Sequence, residues 1–294
     1  MAPLARPRLL VVGLGRLGGA LAAQLQDKGF SVRVQTRSVS GRRTAKSLRL
    51  KEATEAETRA CTVCFLTVPD GAVASVAAAV APSLGPAAAL VHCAGALTLD
   101  VLHAAADGRP TGSFHPLVAV SSAQTQLSGH AVAVATRSRS LAPELVRLAR
   151  ALGLSPLRIP EAGRAAYHAG AALAAGGLVA LLDAAVATWQ AAGIDRRAAE
   201  DALVPLMRSA LGGVEARGLL RGMTGPVVRA DTQVVEAHLA SLPEDVLPLY
   251  RMLFARMLQR LFPSLPRPAA LRLQLLLGPS RPAKRRRRDG RAGR

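Results

Sequence analysis

The chain has 294 residues, 50% hydrophobic and only 3% aromatic, with 26 glycines and 19 prolines. That composition supplies a large aliphatic core, suits about two domains and excludes a disordered chain. The formal net charge is +19, yet seven of those charges fall in the last fifteen residues, SRPAKRRRRDGRAGR, and no basic stripe interleaved with aromatics accompanies them, so specific nucleic-acid binding is not expected.

The stretch RLLVVGLGRLGGALAAQL, residues 8–25, admits two readings: the apolar core of a secretion signal, or the strand, turn and helix of a dinucleotide-binding unit. A signal predicts nothing beyond its cleavage site, whereas a cofactor loop demands a βαβ context. That context is present. A β-branched and leucine run (8–12) leads into Gly13-Leu14-Gly15-Arg16-Leu17-Gly18, helical spacing runs from Arg16 to Lys28, Gly29 stops it, and SVRVQT (31–36) reads as the next strand. Further strands are expected at 62–68, 88–93, 112–116, 130–136 and 154–159, with helices at 70–82 and 140–152. Alternating strands and helices predict an α/β fold, a Rossmann-type doubly wound parallel sheet.

After Pro160 the pattern becomes helical. A long helix through AAYHAGAALAAGGLVALLDAAVATWQAAG ends at Gly193, Asp195 caps another, and two more lead to Phe262. The expected organisation is a cofactor domain (1–160), an all-helical substrate and dimerisation domain (161–265) and a basic, disordered tail (266–294), in which polyanion attraction is at most weak. The longest small-apolar run, Ala169–Leu182, is shorter than the ~20 residues a bilayer requires, so it reads as a buried core helix. Cys61 and Cys64 form a CxxC without a second ligand pair and read as buried thiols in a strand. No metal site is expected, and three cysteines without a disulfide framework fit a reducing, cytoplasmic setting.

The glycine motif assigns roles by position. Gly13 permits the turn, Gly15 lets a pyrophosphate approach, Gly18 lets the helix pack on the strand, and the N–H groups that open the helix, around Arg16 and Leu17, hold phosphate. The second strand ends in Thr36-Arg37-Ser38 rather than Asp or Glu. An acidic residue would bind ribose hydroxyls, whereas Arg37 pairs bidentately with a 2′-phosphate and Ser38 donates to it, so NADP(H) is the expected cofactor. Val68 and Pro69, and His92 and Cys93, stand at the carboxyl ends of strands, where ligands of such sheets bind, and complete the expected cofactor contacts. Ala94, Gly95 and His115 lie in similar positions and are candidates for the substrate side. His168 lies one turn into the long helix that follows Pro160 and is the candidate general acid, with His115 as a second catalytic candidate.

The segments VVGLGRLGGAL, VCFLTVPDGAV, VHCAGAL, GSFHPL, YHAGAALAAGGLVALL and MTGPVVRADTQVVEAHL occur in an order that resembles the Rossmann-like oxidoreductases carrying the C-terminal domain of unknown function 2520. These are relatives of pyrroline-5-carboxylate reductase, ketopantoate reductase and the hydroxyacid dehydrogenases. The resemblance spans residues 8–262. It implies an NADP-dependent oxidoreductase that reduces a small 2-keto acid (ketopantoate-like) or imino acid, and a homodimer built on the helical domain. An NADP(H)-binding sensor without turnover is the alternative. It also implies that Thr224, Gly225, Pro226, Arg229 and Asp231 line the substrate cleft, with Arg229 as a carboxylate clamp, and that His168 stands in for the catalytic lysine of the hydroxyacid dehydrogenases. The chain departs from the family pattern at Ala94 (Ser in the family), at Gly176 and at Gly212 and Gly213 (Asn in the family), and in RAD where the family has RGD.

Overall fold

The structure, a computed structural model, describes residues 7–278. Seven strands form one sheet: β1 (Arg8–Val12), β2 (Ser31–Gln35), β3 (Val63–Leu66), β4 (Ala89–His92), β5 (Thr111–Pro116), β6 (Ala131–Thr136) and β7 (Ser155–Arg158). Their spatial order is β2-β1-β3-β4-β5-β6-β7. Every pairing is parallel except β5 with β6. The expected doubly wound α/β sheet is therefore present, with one antiparallel junction that the hydrophobic pattern does not reveal.

The helices of this unit are α1 (Arg16–Asp27), α2 (Val39–Ser47), α3 (Glu55–Ala60), α4 (Val73–Val80), α5 (His103–Ala106), α6 (Leu141–Ala151) and α7 (Arg164–Ala174). Because side chains alternate along a strand, the sheet buries two apolar layers. Leu9, Val11, Phe65, Val91 and Phe114 pack on one face with Leu21 and Leu25 of α1 and Leu145 and Leu148 of α6. Leu10, Cys64, Leu66 and Leu90 pack on the other with Val73, Ala77 and Val80 of α4. Fully buried leucines of this kind each contribute about 1.5–3 kcal/mol. All three cysteines are free thiols and buried, as a strand reading of CxxC predicts. Burial pushes the Cys61 thiol up to about 11.

The chain divides into two compact units, 1–175 and 176–294, rather than at 160. The extra fifteen residues carry α7, which the sequence pattern assigns to the helical region. A buried arginine, Arg164, holds it to the sheet unit. The second unit contains α8 (Gly176–Ala191), α9 (Arg196–Arg217), α10 (Leu219–Gly222), α11 (Thr232–Ser241), α12 (Leu247–Leu261) and α13 (Arg267–Leu277). Asp195 caps α9 as expected, accepting from the N–H groups of Arg197 and Ala198. Leu273 and Leu277 of α13 join Val235, Leu258 and Leu261 in one core, so residues 267–277 are helix where the sequence suggested tail. The Arg-rich segment from residue 279 lies outside the described residues.

One expectation is overturned. The helical stretch Glu161–Ala191 is long and apolar enough to cross a membrane, yet only 6% of its most apolar window is buried. Leu173 is 75% exposed and Val179 66% exposed. It is no core helix: its apolar packing lies in its later part, where Leu182, Ala185, Val186 and Trp189 pack with Ala199 and Leu203 of α9.

Candidate functional site

The turn after β1 takes the form that the glycine spacing demands. Gly13 has φ +95°, a conformation that side chains disfavour. A Cβ on Gly18 would overlap the Gly13 carbonyl and lie 2.5 Å from Thr67 Oγ1, whereas nothing stands within 4 Å of one on Gly15. Gly18 is thus a contact point between helix and turn, and Gly15 faces open space. Helix α1 starts with no side-chain cap and no acidic residue in its first turn. Its N–H groups and the positive end of its dipole are therefore available to an anion. Leu17 turns its side chain onto the core and contributes only backbone here, while Arg16 is exposed.

Sequence reasoning missed Thr67. Its hydroxyl donates to the Gly13 carbonyl at 2.6 Å and lies 3.1 Å from that of Val12. It locks the turn from the neighbouring strand end, a role that no spacing rule signals.

A cavity of about 300 Å³ opens beside this turn. Gly13, Leu14 and Gly15 form one wall, Thr36, Arg37 and Ser38 a second, and Thr67, Val68 and Pro69 a third. Ser38 caps α2 by accepting from the Gly41 N–H at 2.9 Å. The exposed Arg37 thus stands beside a second helix start that has no acidic residue in its first turn. A groove of this shape, with a glycine-walled anion cradle at one side and a basic end at the other, fits a dinucleotide.

Two expected cofactor contacts are corrected. Cys93 packs in the core with Val91 and Phe114, because alternation turns it to the face opposite His92. His92 is itself fully buried and does not line the crevice.

His92 belongs instead to a polar seam on the other face. It is the register partner of Ser113 on β5, and His115 lies two residues further along the same face. Against this seam packs α7. Arg164, 1% exposed, donates to Ser113 Oγ and reaches the carbonyls of Ala94 at 3.4 Å and Gly95 at 3.5 Å. Its Nε pairs with Glu161 at 3.3 Å, and Glu161 also accepts from the Leu99 N–H at 2.9 Å. These bonds clamp the start of α7 to the loop after β4.

One turn along α7, the Tyr167 hydroxyl lies 2.7 Å from His115 Nδ1, and the His115 and His168 rings meet edge to face, 5.8 Å between centroids. A Cβ on Gly95 would overlap His168 Nδ1 and lie 2.9 Å from His115 Nε2, so only glycine leaves room there. Burial, with Arg164 and His115 adding repulsion, lowers the His92 pKa to about 4. Burial first, then His168 and Arg164, lowers that of His115 likewise to about 4. Burial raises Tyr167 to about 12.

Of the expected substrate-side residues, Ala94, Gly95, His115 and His168 meet in this unit. Thr224, Arg229 and Asp231 belong to the helical unit. There Asp231 is occupied as the N-cap of α11, accepting from the Val234 N–H at 3.1 Å, while Arg229 and Thr224 are exposed. Arg164 and Tyr167, which organise the cluster, carried no sequence signal: an arginine at a helix start reads as surface.

A parallel sheet with a glycine-walled crevice at the carboxyl end of its first strand defines the Rossmann class of nicotinamide-cofactor proteins. Within that class, residues 8–112 match the NAD binding domain of 6-phosphogluconate dehydrogenase and residues 130–257 match the domain of unknown function DUF2520. The chain therefore pairs an NAD(P)(H)-binding Rossmann domain with a DUF2520 domain, as the sequence resemblance implied. No curated protein matches the sequence.

Among solved structures, a proposed NADP oxidoreductase from Bacteroides fragilis is 21% identical with a TM-score of 0.69, covering 86% of this chain and 98% of its own. Protein TM1727 from Thermotoga maritima is 24% identical with a TM-score of 0.61, covering 92% and 98%. Plasmodium falciparum pyrroline carboxylate reductase, solved with NADP bound, is 11% identical with a TM-score of 0.56, covering 94% and 97%. At such identities the likeness is one of fold.

Proposed function

We propose that the chain is an NADPH-dependent reductase of a small 2-keto acid, ketopantoate-like, or of an imino acid. The observation that carries this reading is the histidine cluster. His92 and His115 stand at the carboxyl ends of β4 and β5, where ligands of such sheets bind, and His168 of α7 meets His115 there, in the same unit as the cofactor crevice. The pyrroline carboxylate reductase fold supports an imine as one substrate class.

A bound nicotinamide cofactor supplies a hydride. The chain must then hold the cofactor, exclude water and deliver a proton to the oxygen or nitrogen that gains charge. The α1 start and Gly15 hold the pyrophosphate, and Arg37 with Ser38 favours the 2′-phosphate of NADPH over NADH. His168 is the proton donor, because its ring edge meets His115 above Gly95, beside the carboxyl ends of β4 and β5. His115 stays neutral down to about pH 4 and serves as its neighbour rather than as the acid. Arg229 remains the candidate for a substrate carboxylate, and Thr224 flanks it.

The chain acts as a homodimer in a cytoplasmic setting. The 75%-exposed Leu173 and 66%-exposed Val179 support a second copy as the cover for α7 and α8. A sensor without turnover is the second reading. It is favoured by Ala94, which puts a methyl group in the apolar layer where the family pattern has a hydroxyl.

The test is NADPH oxidation against a panel of keto acids and cyclic imines, in wild type and His168→Ala. Turnover that falls at least a hundredfold in a variant still binding NADPH supports the reductase. Tight NADPH binding with no turnover on any panel member supports the sensor.

A further inference from the structure

The histidine pair is not symmetric, and the residue that breaks the symmetry is Tyr167. His115 has two distinct edges. Nδ1 meets the Tyr167 hydroxyl at 2.7 Å, while Nε2 borders the notch above Gly95. His168 Nδ1 borders the same notch and is buried without a hydrogen-bond partner.

A phenol is a strong O–H donor, and burial keeps this one protonated. A neutral imidazole offers one donor and one acceptor. If Tyr167 donates to Nδ1, the single His115 proton must reside on Nε2, facing the notch. The charged and titratable groups facing this ring are Arg164, His92, Tyr167 and His168. None of them is an anion that would hold His115 as a cation.

We propose that Tyr167 is a positioning residue, whose hydroxyl fixes His115 as the Nε2–H tautomer so that His115 presents a donor across the Gly95 notch to the Nδ1 edge of His168. His168 then keeps its other edge, Nε2, for the substrate. With a donor facing Nδ1, the single proton of neutral His168 stands on Nε2, the edge kept for the substrate. No net charge change is required of His115. The positioning claim is independent of turnover; its kinetic consequence rests on the proposed reductase activity.

The test is proton-detected 15N spectroscopy of the full-length chain labelled at histidine, with and without NADP+, in wild type and Tyr167→Phe. His115→Gln and His168→Gln assign the resonances. Tyr167→Phe removes one oxygen from a half-buried ring and keeps its packing. The expected wild-type spectrum shows His115 protonated on Nε2 and bare on Nδ1 from pH 8 to 5. In Tyr167→Phe it becomes a mixture of tautomers, and the His168 resonances shift with it. A wild-type His115 protonated on Nδ1, or a Tyr167→Phe spectrum identical to wild type, overturns the proposal.

If the reductase is active, Tyr167→Phe lowers kcat about tenfold with KM unchanged, and the acid limb of the kcat–pH profile moves. A purely structural role leaves that profile in place and overturns the kinetic consequence. If no substrate turns over, the reductase reading fails while the tautomer result stands or falls by itself.

Discussion

Replacing His92 with leucine should remove much of the acid lability of the sheet unit. His92 is fully buried between Arg164 and the seam from β5, with neither ring nitrogen hydrogen-bonded, and its pKa falls to about 4 from an ordinary 6.5. The nearby backbone of Ala94 and Thr98 offsets only part of that burial effect. A histidine whose folded pKa is depressed binds its proton more readily when unfolded, so stability is full above about 6.5 and drains away as pH falls towards about 4. Between pH 7.5 and 4.5 those two values correspond to a loss of about 2–3 kcal/mol. With a urea slope of about 2 kcal/mol/M, that is a midpoint lowered by about 1–1.5 M. His115 adds a loss of the same sign. Urea unfolding monitored by circular dichroism at pH 7.5, 5.5 and 4.5 measures both. Leucine carries no polar atom to strand, so His92→Leu should keep the pH 7.5 midpoint within about 0.7 M while halving the acid slope. Parallel slopes in wild type and variant would refute the assignment of His92 as a buried, neutral imidazole.

Other consequences rest on single contacts. Gly18→Ala drives a methyl group into the Gly13 carbonyl and Thr67. It should cost about 1–3 kcal/mol in stability and weaken NADPH binding at least tenfold, read by thermal melting and fluorescence titration. Arg37→Asp should lower the NADPH/NADH affinity ratio by about ten- to a hundredfold, and an unchanged ratio would place the 2′-phosphate elsewhere. If the proposed homodimer forms through α7, Leu173→Glu should shift the sedimentation profile from dimer to monomer at micromolar protein, leaving the monomer fold intact because that side chain is 75% exposed. A profile unaltered by the charge would remove α7 from the interface.

How much of this was legible in the sequence depended on what held each element together. The first βαβ unit was readable because glycines, β-branched residues and helical spacing all pointed one way. Helices α2 and α3 were not read. Helix α2 buries only Gly41 and Ala45, and α3 only Thr58, so neither carries an apolar stripe. Their signals are local: Ser38 as a cap, and the Thr54–Glu57 capping box. The glycine cradle was legible by the same logic, since backbone strain leaves a mark on composition. The histidine cluster was legible only as isolated candidates at strand ends. Its organisers, Arg164 and Tyr167, and Thr67 at the glycine turn, act through contacts 51 to 70 residues away in sequence, and periodicity does not report such distances. The unit boundary at 175 was missed for the same reason: a change from strands to helices marks composition, whereas a buried guanidinium decides which unit α7 packs with.

That guanidinium also explains why three histidines can sit so close to one another. An isolated buried arginine would be costly, but Glu161, Ser113 and two carbonyls satisfy it. Burial first, and then the same cation, disfavours protonation of His92 and His115, so those two rings stay neutral beside it. The clamp and the electrostatics are therefore one device. Loosening Arg164 would both free the helix that carries Tyr167 and His168 and remove one of the causes, after burial and His168, that hold the His115 pKa down. Arg164→Met preserves much of the volume while removing the charge. It should raise the His115 pKa and lower the midpoint of unfolding together. A variant that loses stability while its His115 titration stays at about 4 would show burial alone to be sufficient, and would separate the two roles that the structure joins.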